Sequence, residues 1–270
     1  LLALRRGDGE AARQAMGQAV ERWPGTPGQA FLQLIGLLGP SGDPEVALRT
    51  LSDLAEAYPE VSEAHRAVAV AAERADAPAR ALAAAERAFR LAPSDREAGK
   101  TLLRAVSRAR RADAVALEAA LATLQRLREA QPELRPQAAL VEGEILRRAG
   151  RLAEAEAAYG RGLAEAPGDV ELLYGRGLAR AGRGEVDGAL ADLRRVLEAE
   201  PDAAYVLNAL GYTLADSGRD LDRARELIGR ALEAEPDNPA FLDSQGWLLY
   251  REGRLAEARE RLERAFEQQP

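Results

Sequence analysis

Between Ala204 and Ala265 one residue pattern occurs twice. Leu207, Gly211, Leu214, Ala224, Ile228, Ala231 and Pro236 return as Leu242, Gly246, Leu249, Ala258, Leu262, Ala265 and Pro270, each after 34 or 35 residues. Agreement in one register at that period defines a repeat architecture, in which each unit buries its apolar face only by stacking on the next. Such an array is quasi-one-dimensional and has no single central core.

Each recurring residue has a steric task in a helix-turn-helix unit. Leu207 with Leu214, and Leu242 with Leu249, lie seven apart and form an apolar stripe on the first helix. Gly211 and Gly246 stand where the first helix comes closest to the second, and Ala224 and Ala258 are the small residues that receive them. Gly218 and Gly253 can supply the positive φ that closes the first helix. Pro236 and Pro270 stop the second, because proline has no amide to donate and clashes with the preceding turn. This pattern resembles the tetratricopeptide repeat. The resemblance implies an all-α fold, a right-handed α-solenoid (superhelix) whose first helices line its concave side.

The helix-ending prolines extend the pattern over the whole chain. Pro24, Pro59, Pro93, Pro132, Pro167, Pro201, Pro236 and Pro270 are separated by 35, 34, 39, 35, 34, 35 and 34 residues. The spacing predicts one solenoid over 1–270, with about seven and a half units and 15 helices. A partial unit, 1–24, precedes units 28–59, 62–93, 96–132, 136–167, 170–201, 204–236 and 239–270. In the second unit the first helix is expected at Gln29 to Leu38, broken by Gly39, Pro40, Ser41 and Gly42, with Asp43 or Ser41 capping the second helix before Pro44. The third has Ala81 and Ala88 on its second helix, which starts at Ala77-Pro78, and it lacks the glycines. The fourth is irregular; its extra residues fall between Ser107 and Val115, so its first helix is longer or its turn bulges. Leu1 lands inside a helix without an initiator Met, and Pro270 is followed by no capping helix, so the chain is expected to be a fragment of a longer protein.

Composition narrows the function. The net charge is −7, with 18 basic and 18 acidic residues in 1–134 against 19 and 26 in 135–270. Nucleic acid is not an expected partner, because phosphate binding needs a clustered basic field. The one dense cluster, Arg104, Arg108, Arg110 and Arg111, is read as a solvated helix end. The chain has no Cys, which excludes disulfides, thiolate nucleophiles and zinc knuckles. No stretch approaches the roughly 20 apolar residues of a membrane span.

The inventory for catalysis is poor. His65 is the only His and is read as a helix-face residue. Glu154 with Glu156, and Asp220 with Asp222, are read as carboxylates at helix starts, where they favour the dipole. Gly175 and Gly177 lie inside a helix with no preceding strand, so they form no phosphate loop. No enzyme, catalytic residue, cofactor or metal site is expected.

What remains is surface. On the first helices, the stripe facing away from the second helices carries Tyr205, Asn208, Tyr212 and Asp216 in the seventh unit, and Asp243, Trp247 and Tyr250 with Arg251 beside them in the eighth. The sixth unit adds Tyr174 and Leu178; the fifth adds Leu140, Glu144, Arg147 and Arg148. Rigid aromatic rings with an amide and charges at their edge are what peptide-binding surfaces use. Tyr174 and Tyr250 have the alternative of packing between neighbouring first helices. The first half of the chain has no comparable set.

Residues 208–250, NALGYTLADSGRDLDRARELIGRALEAEPDNPAFLDSQGWLLY, are similar to a narrower group. These are tandem-repeat proteins of Gram-negative proteobacteria, often lipoproteins, whose best-understood member is an outer-membrane adaptor for a C-terminal-processing protease. The resemblance implies a periplasmic scaffold that holds the protease and delivers cell-wall hydrolases to it, with membrane attachment only through an N-terminal anchor outside this chain. The cytoplasm is the alternative compartment. A chaperone or assembly factor for exported envelope, pilus or polysaccharide components is the alternative function.

Overall fold

The computed structural model describes residues 8–37, 43–109 and 114–268. Among them are fifteen α-helices, one short 3-10 helix and no strand, as the proline spacing requires. Helix α1 (Gly9–Glu21) stands before seven pairs: α2 (Pro27–Leu37) with α3 (Pro44–Ala57), α4 (Ser62–Arg74) with α5 (Pro78–Leu91), α6 (Arg96–Arg108) with α7 (Ala114–Ala130), α8 (Arg135–Arg148) with α9 (Leu152–Glu165), α10 (Val170–Gly182) with α11 (Val186–Ala199), α12 (Ala204–Ser217) with α13 (Leu221–Ala234), and α14 (Pro239–Arg251) with α15 (Leu255–Glu267). The packing divides into two compact units, Leu1–Val141 and Glu142–Pro270.

Helix ends follow from local chemistry. The second helices α3, α5, α7, α9, α11 and α13 each end two residues before a proline, where the chain can no longer donate the next amide. Asp43 caps α3, accepting from the amides of Glu45 and Val46 at 2.9 and 3.3 Å, with Pro44 next in line. Gly218, at φ 68°, closes α12, and the Arg219 amide reaches back to the Leu214 carbonyl at 2.9 Å. Asp76 does this work in the third unit at φ 49°, which an Asp tolerates better than most residues.

Three expectations are corrected. The first helix of the second unit begins at Pro27 rather than Gln29; Leu38 and Gly39–Gly42 lie outside the described residues, as do Leu1, Pro270, Arg110 and Arg111. In the irregular unit the first helix is not longer, α6 having 13 residues; the added length is divided between α7, with 17 residues against 14 in α5 or α9, and the connection before it, five residues against the three between α8 and α9. Glu156 is not a helix-start carboxylate but sits a full turn into α9 and pairs across to α10. Glu154, Asp220 and Asp222 do lie at helix starts.

Within 142–270, first helices pack on first helices, α10 on α12 and α12 on α14, while α11 and α13 each lie against two of them. The glycine register is visible as contact. A Cβ at Gly211 would meet the Ile228 side chain at 2.7 Å and the Ala224 carbonyl at 3.1 Å; one at Gly246 would meet Leu262 at 2.7 Å. Gly211→Leu is therefore expected to push α12 and α13 apart and to cost about 1 to 3 kcal/mol. A thermal unfolding curve unchanged by that substitution would contradict the register.

The abundance of Arg has a structural use. Arg87, Arg195 and Arg230 on second helices donate to the carbonyls of Pro59, Pro167 and Pro201, stapling each helix to the preceding turn. In the fifth unit the equivalent Arg161 turns instead to Glu142 at 2.8 Å.

Candidate functional site

Helices α10, α12 and α14 present the aromatic stripe. Buried Val206, Leu207, Leu210 and Leu214 hold α12 against its neighbours, which leaves the positions between them to point outward. Tyr205, Tyr212 and Tyr250 retain 41%, 38% and 53% exposure, although rings of this size are usually covered. Asp216, Asp243 and Arg251 are exposed; Tyr174, Asn208 and Trp247 are half-buried.

The rings meet in pairs across and along the helices. Tyr174 of α10 meets Tyr205 of α12 edge to face, with centroids 4.9 Å apart at 84°. Trp247 and Tyr250, one turn apart on α14, are stacked at 5.4 Å. Tyr174 thus packs between first helices, as its alternative reading had it, whereas Tyr250 lies on the surface. The Arg251 guanidinium donates to the backbone carbonyl of Asp216, tying α14 to the end of α12.

Carboxylates surround these hydroxyls. Partial burial and a 3.0 Å hydrogen bond to Glu200, with Glu171 further off, push Tyr205 up to about 12. Burial also raises Tyr212, and Asp216 and Asp243 add to it. Burial raises Tyr174 as well, with Arg147 opposing. Two polar atoms under this face, Asn208 Oδ1 and Trp247 Nε1, have no hydrogen-bond partner. An unpaired buried group of this kind costs about 1 to 3 kcal/mol.

Glu200 belongs to this face and sequence reasoning missed it, because it reaches Tyr205 across the turn at Pro201 rather than along a helix. A charge network behind the face was missed as well. Asp192, buried on α11, accepts from Arg176 at 2.7 and 2.8 Å and from Arg180 at 2.8 Å. Arg180 also pairs with Glu156 at 2.8 Å, and Arg183 bonds Glu156 in turn. Burial pushes Glu156 up, but its two guanidinium partners outweigh that and hold it below the usual carboxylate range. Nor did the sequence indicate a cleft of about 480 Å³ in the first unit, between α5 and α7, lined by Phe89, Pro93, Thr123 and Ala130 with Glu86, Arg90, Arg126 and Glu129.

The remaining candidates are structural. His65 donates from its ring to the Pro59 carbonyl at 2.9 Å. Arg104 lies 3.5 Å from Glu73, an ion pair rather than a free basic field. Gly175 makes room for the Tyr159 ring, which fills the space between it and Gly143. Among the described residues no three His, Cys, Asp or Glu side chains are placed to hold a metal ion, and no helix is long and apolar enough to cross a membrane.

A family model described as tetratricopeptide repeat matches residues 38–96, 116–170, 174–220 and 213–270. A TPR repeat-containing protein of Pseudomonas aeruginosa, PA4667, is 36% identical over 147 residues, 54% of this chain; the chain spans 25% of that relative's length. Among solved structures, a tetratricopeptide repeat protein from Parabacteroides merdae has a TM-score of 0.67 and 13% identity, covering 90% of this chain and 93% of its own. PilW, a type IV pilus biogenesis factor, has a TM-score of 0.60 and 20% identity, covering 74% of this chain and 90% of its own. At these identities the two structures show a shared fold.

Proposed function

This chain belongs to the tetratricopeptide repeat family, and from that premise we propose that it is a non-catalytic scaffold which binds a protein partner along the first-helix face of α10, α12 and α14. One observation carries the reading: three large tyrosines stay exposed on that one face, an apolar surface left uncovered in the isolated chain at some cost. A partner that covered the rings would remove that cost. The narrower reading is an adaptor that tethers a C-terminal-processing protease and its cell-wall hydrolase substrates in the periplasm. It is supported by the likeness of residues 208–250 to the proteobacterial adaptors.

Tyr212→Ala with Trp247→Ala tests the site. Truncating an anchoring aromatic often costs about 2 kcal/mol or more in binding, so the double variant is expected to lose the partner in a pull-down while Arg90→Ala, on the first-unit cleft, keeps it. Circular dichroism must first show the double variant folded. A folded double variant that binds as the parent does would place the site elsewhere. The retained proteins separate the narrower readings: an adaptor holds one protease and its substrates at defined stoichiometry, a chaperone or assembly factor holds many unfolded chains.

A further inference from the structure

The face that carries the tyrosines is acidic where its rings are most accessible. Asp216 stands one turn beyond Tyr212 on α12, and Asp243 lies on α14, which packs against α12; both charges act on the Tyr212 hydroxyl. Both side chains are exposed, and neither carboxylate forms an ion pair among the described residues. At the other end Glu171 and Glu200 flank Tyr205. Arg251 is held at the end of α12 by the Asp216 backbone carbonyl and forms no ion pair with either carboxylate among the described residues. This contrasts with the network behind the face, where every carboxylate has a guanidinium partner.

Unpaired surface carboxylates beside exposed rings make a negative potential that an approaching cation enters at little desolvation cost. Ring faces attract the same cation through their quadrupole. We propose that the partner presents a Lys- or Arg-bearing segment to this face, one cationic side chain lying over Tyr212 between Asp216 and Asp243 and another beside Tyr205 and Glu200. The proposal rests on the scaffold reading above and specifies its ligand: a basic peptide segment rather than an acidic or a purely apolar one. Charge complementarity of this kind sets encounter rate and selectivity more than bulk affinity.

Two short fluorescent peptides with the same aromatic and aliphatic content, one carrying Lys and Arg and the other Glu, are titrated by anisotropy at low and high salt. The basic peptide is expected to bind, to weaken as salt rises, and to lose about tenfold in affinity in Asp216→Asn with Asp243→Asn, which removes both surface charges it would pair with. Both substitutions are exposed and nearly isosteric, so the variant is expected to fold. Tighter binding of the Glu peptide, lost in Tyr212→Ala with Trp247→Ala, would overturn the charge assignment while leaving the face as the binding site. Basic-peptide binding insensitive to salt and to the Asn variant would also overturn it. If neither peptide binds, the proposal fails, and the pull-down with the aromatic double variant still judges the scaffold reading on its own.

Discussion

Asp192→Ala is expected to destabilise the second unit by about 3 to 5 kcal/mol, because removing one partner of a buried ion pair strands the charges left behind. The Asp192 side chain is 3% exposed, and it is the carboxylate shared by Arg176 and Arg180. Arg180 keeps Glu156, but Arg176 loses both its bonds. Since the Arg176 side chain is 19% exposed and can turn partly toward water, the effect should fall near the lower limit. The seventh unit supplies the control. Residues 210, 214 and 227 are the repeat equivalents of 176, 180 and 192, and they are buried Leu210, Leu214 and Leu227. Arg176→Leu, Arg180→Leu and Asp192→Leu together should therefore recover most of the stability lost in the single variant, as apolar replacements of buried ion networks often do. Urea unfolding of the three proteins decides it. A triple variant no more stable than Asp192→Ala would mean that the network's geometry, and not its desolvation balance, holds the unit.

Tyr159→Ala should cost about 3 to 5 kcal/mol, the range for deleting a large buried ring. Its ring has no exposure and lies between Gly143 of α8 and Gly175 of α10; a Cβ built at either glycine falls 2.5 Å from ring carbons. The walls of that slot are glycine backbone, which has no side chain to swing into the void, so the cavity collapses poorly. Tyr159→Phe keeps the ring and removes only the hydroxyl, and should cost about 1 kcal/mol. Because repeat stability is local, hydrogen exchange should show the alanine variant losing protection in α8, α9 and α10 well before α14 and α15. Uniform loss along the chain would contradict that division.

The sequence alone was enough for the helices and their pairing. Pro59, Pro93, Pro132, Pro167, Pro201 and Pro236 terminate helices by missing amides, and Gly218 closes one by its positive φ, and these effects act within a few residues of their source. Gly211 and Gly246 were legible for the same reason, since a repeat period places their receiving residues at a known distance along the chain. The outward stripe Tyr205, Asn208, Tyr212 and Asp216 followed from helical spacing. Whether a given polar or aromatic residue is satisfied, exposed or buried was decided only by what stands opposite it in another helix. Tyr159 stands at the repeat position of Ile228 and Leu262, but that its ring fills a slot cut by glycines on two neighbouring helices was visible only in the structure. Glu156 reads as a helix-start carboxylate until α10 brings Arg180 and Arg183 to it. Position 192 holds Asp where position 227 holds Leu, and only the facing side chains, two guanidinium groups in one unit and two leucines in the next, explain why each is stable there.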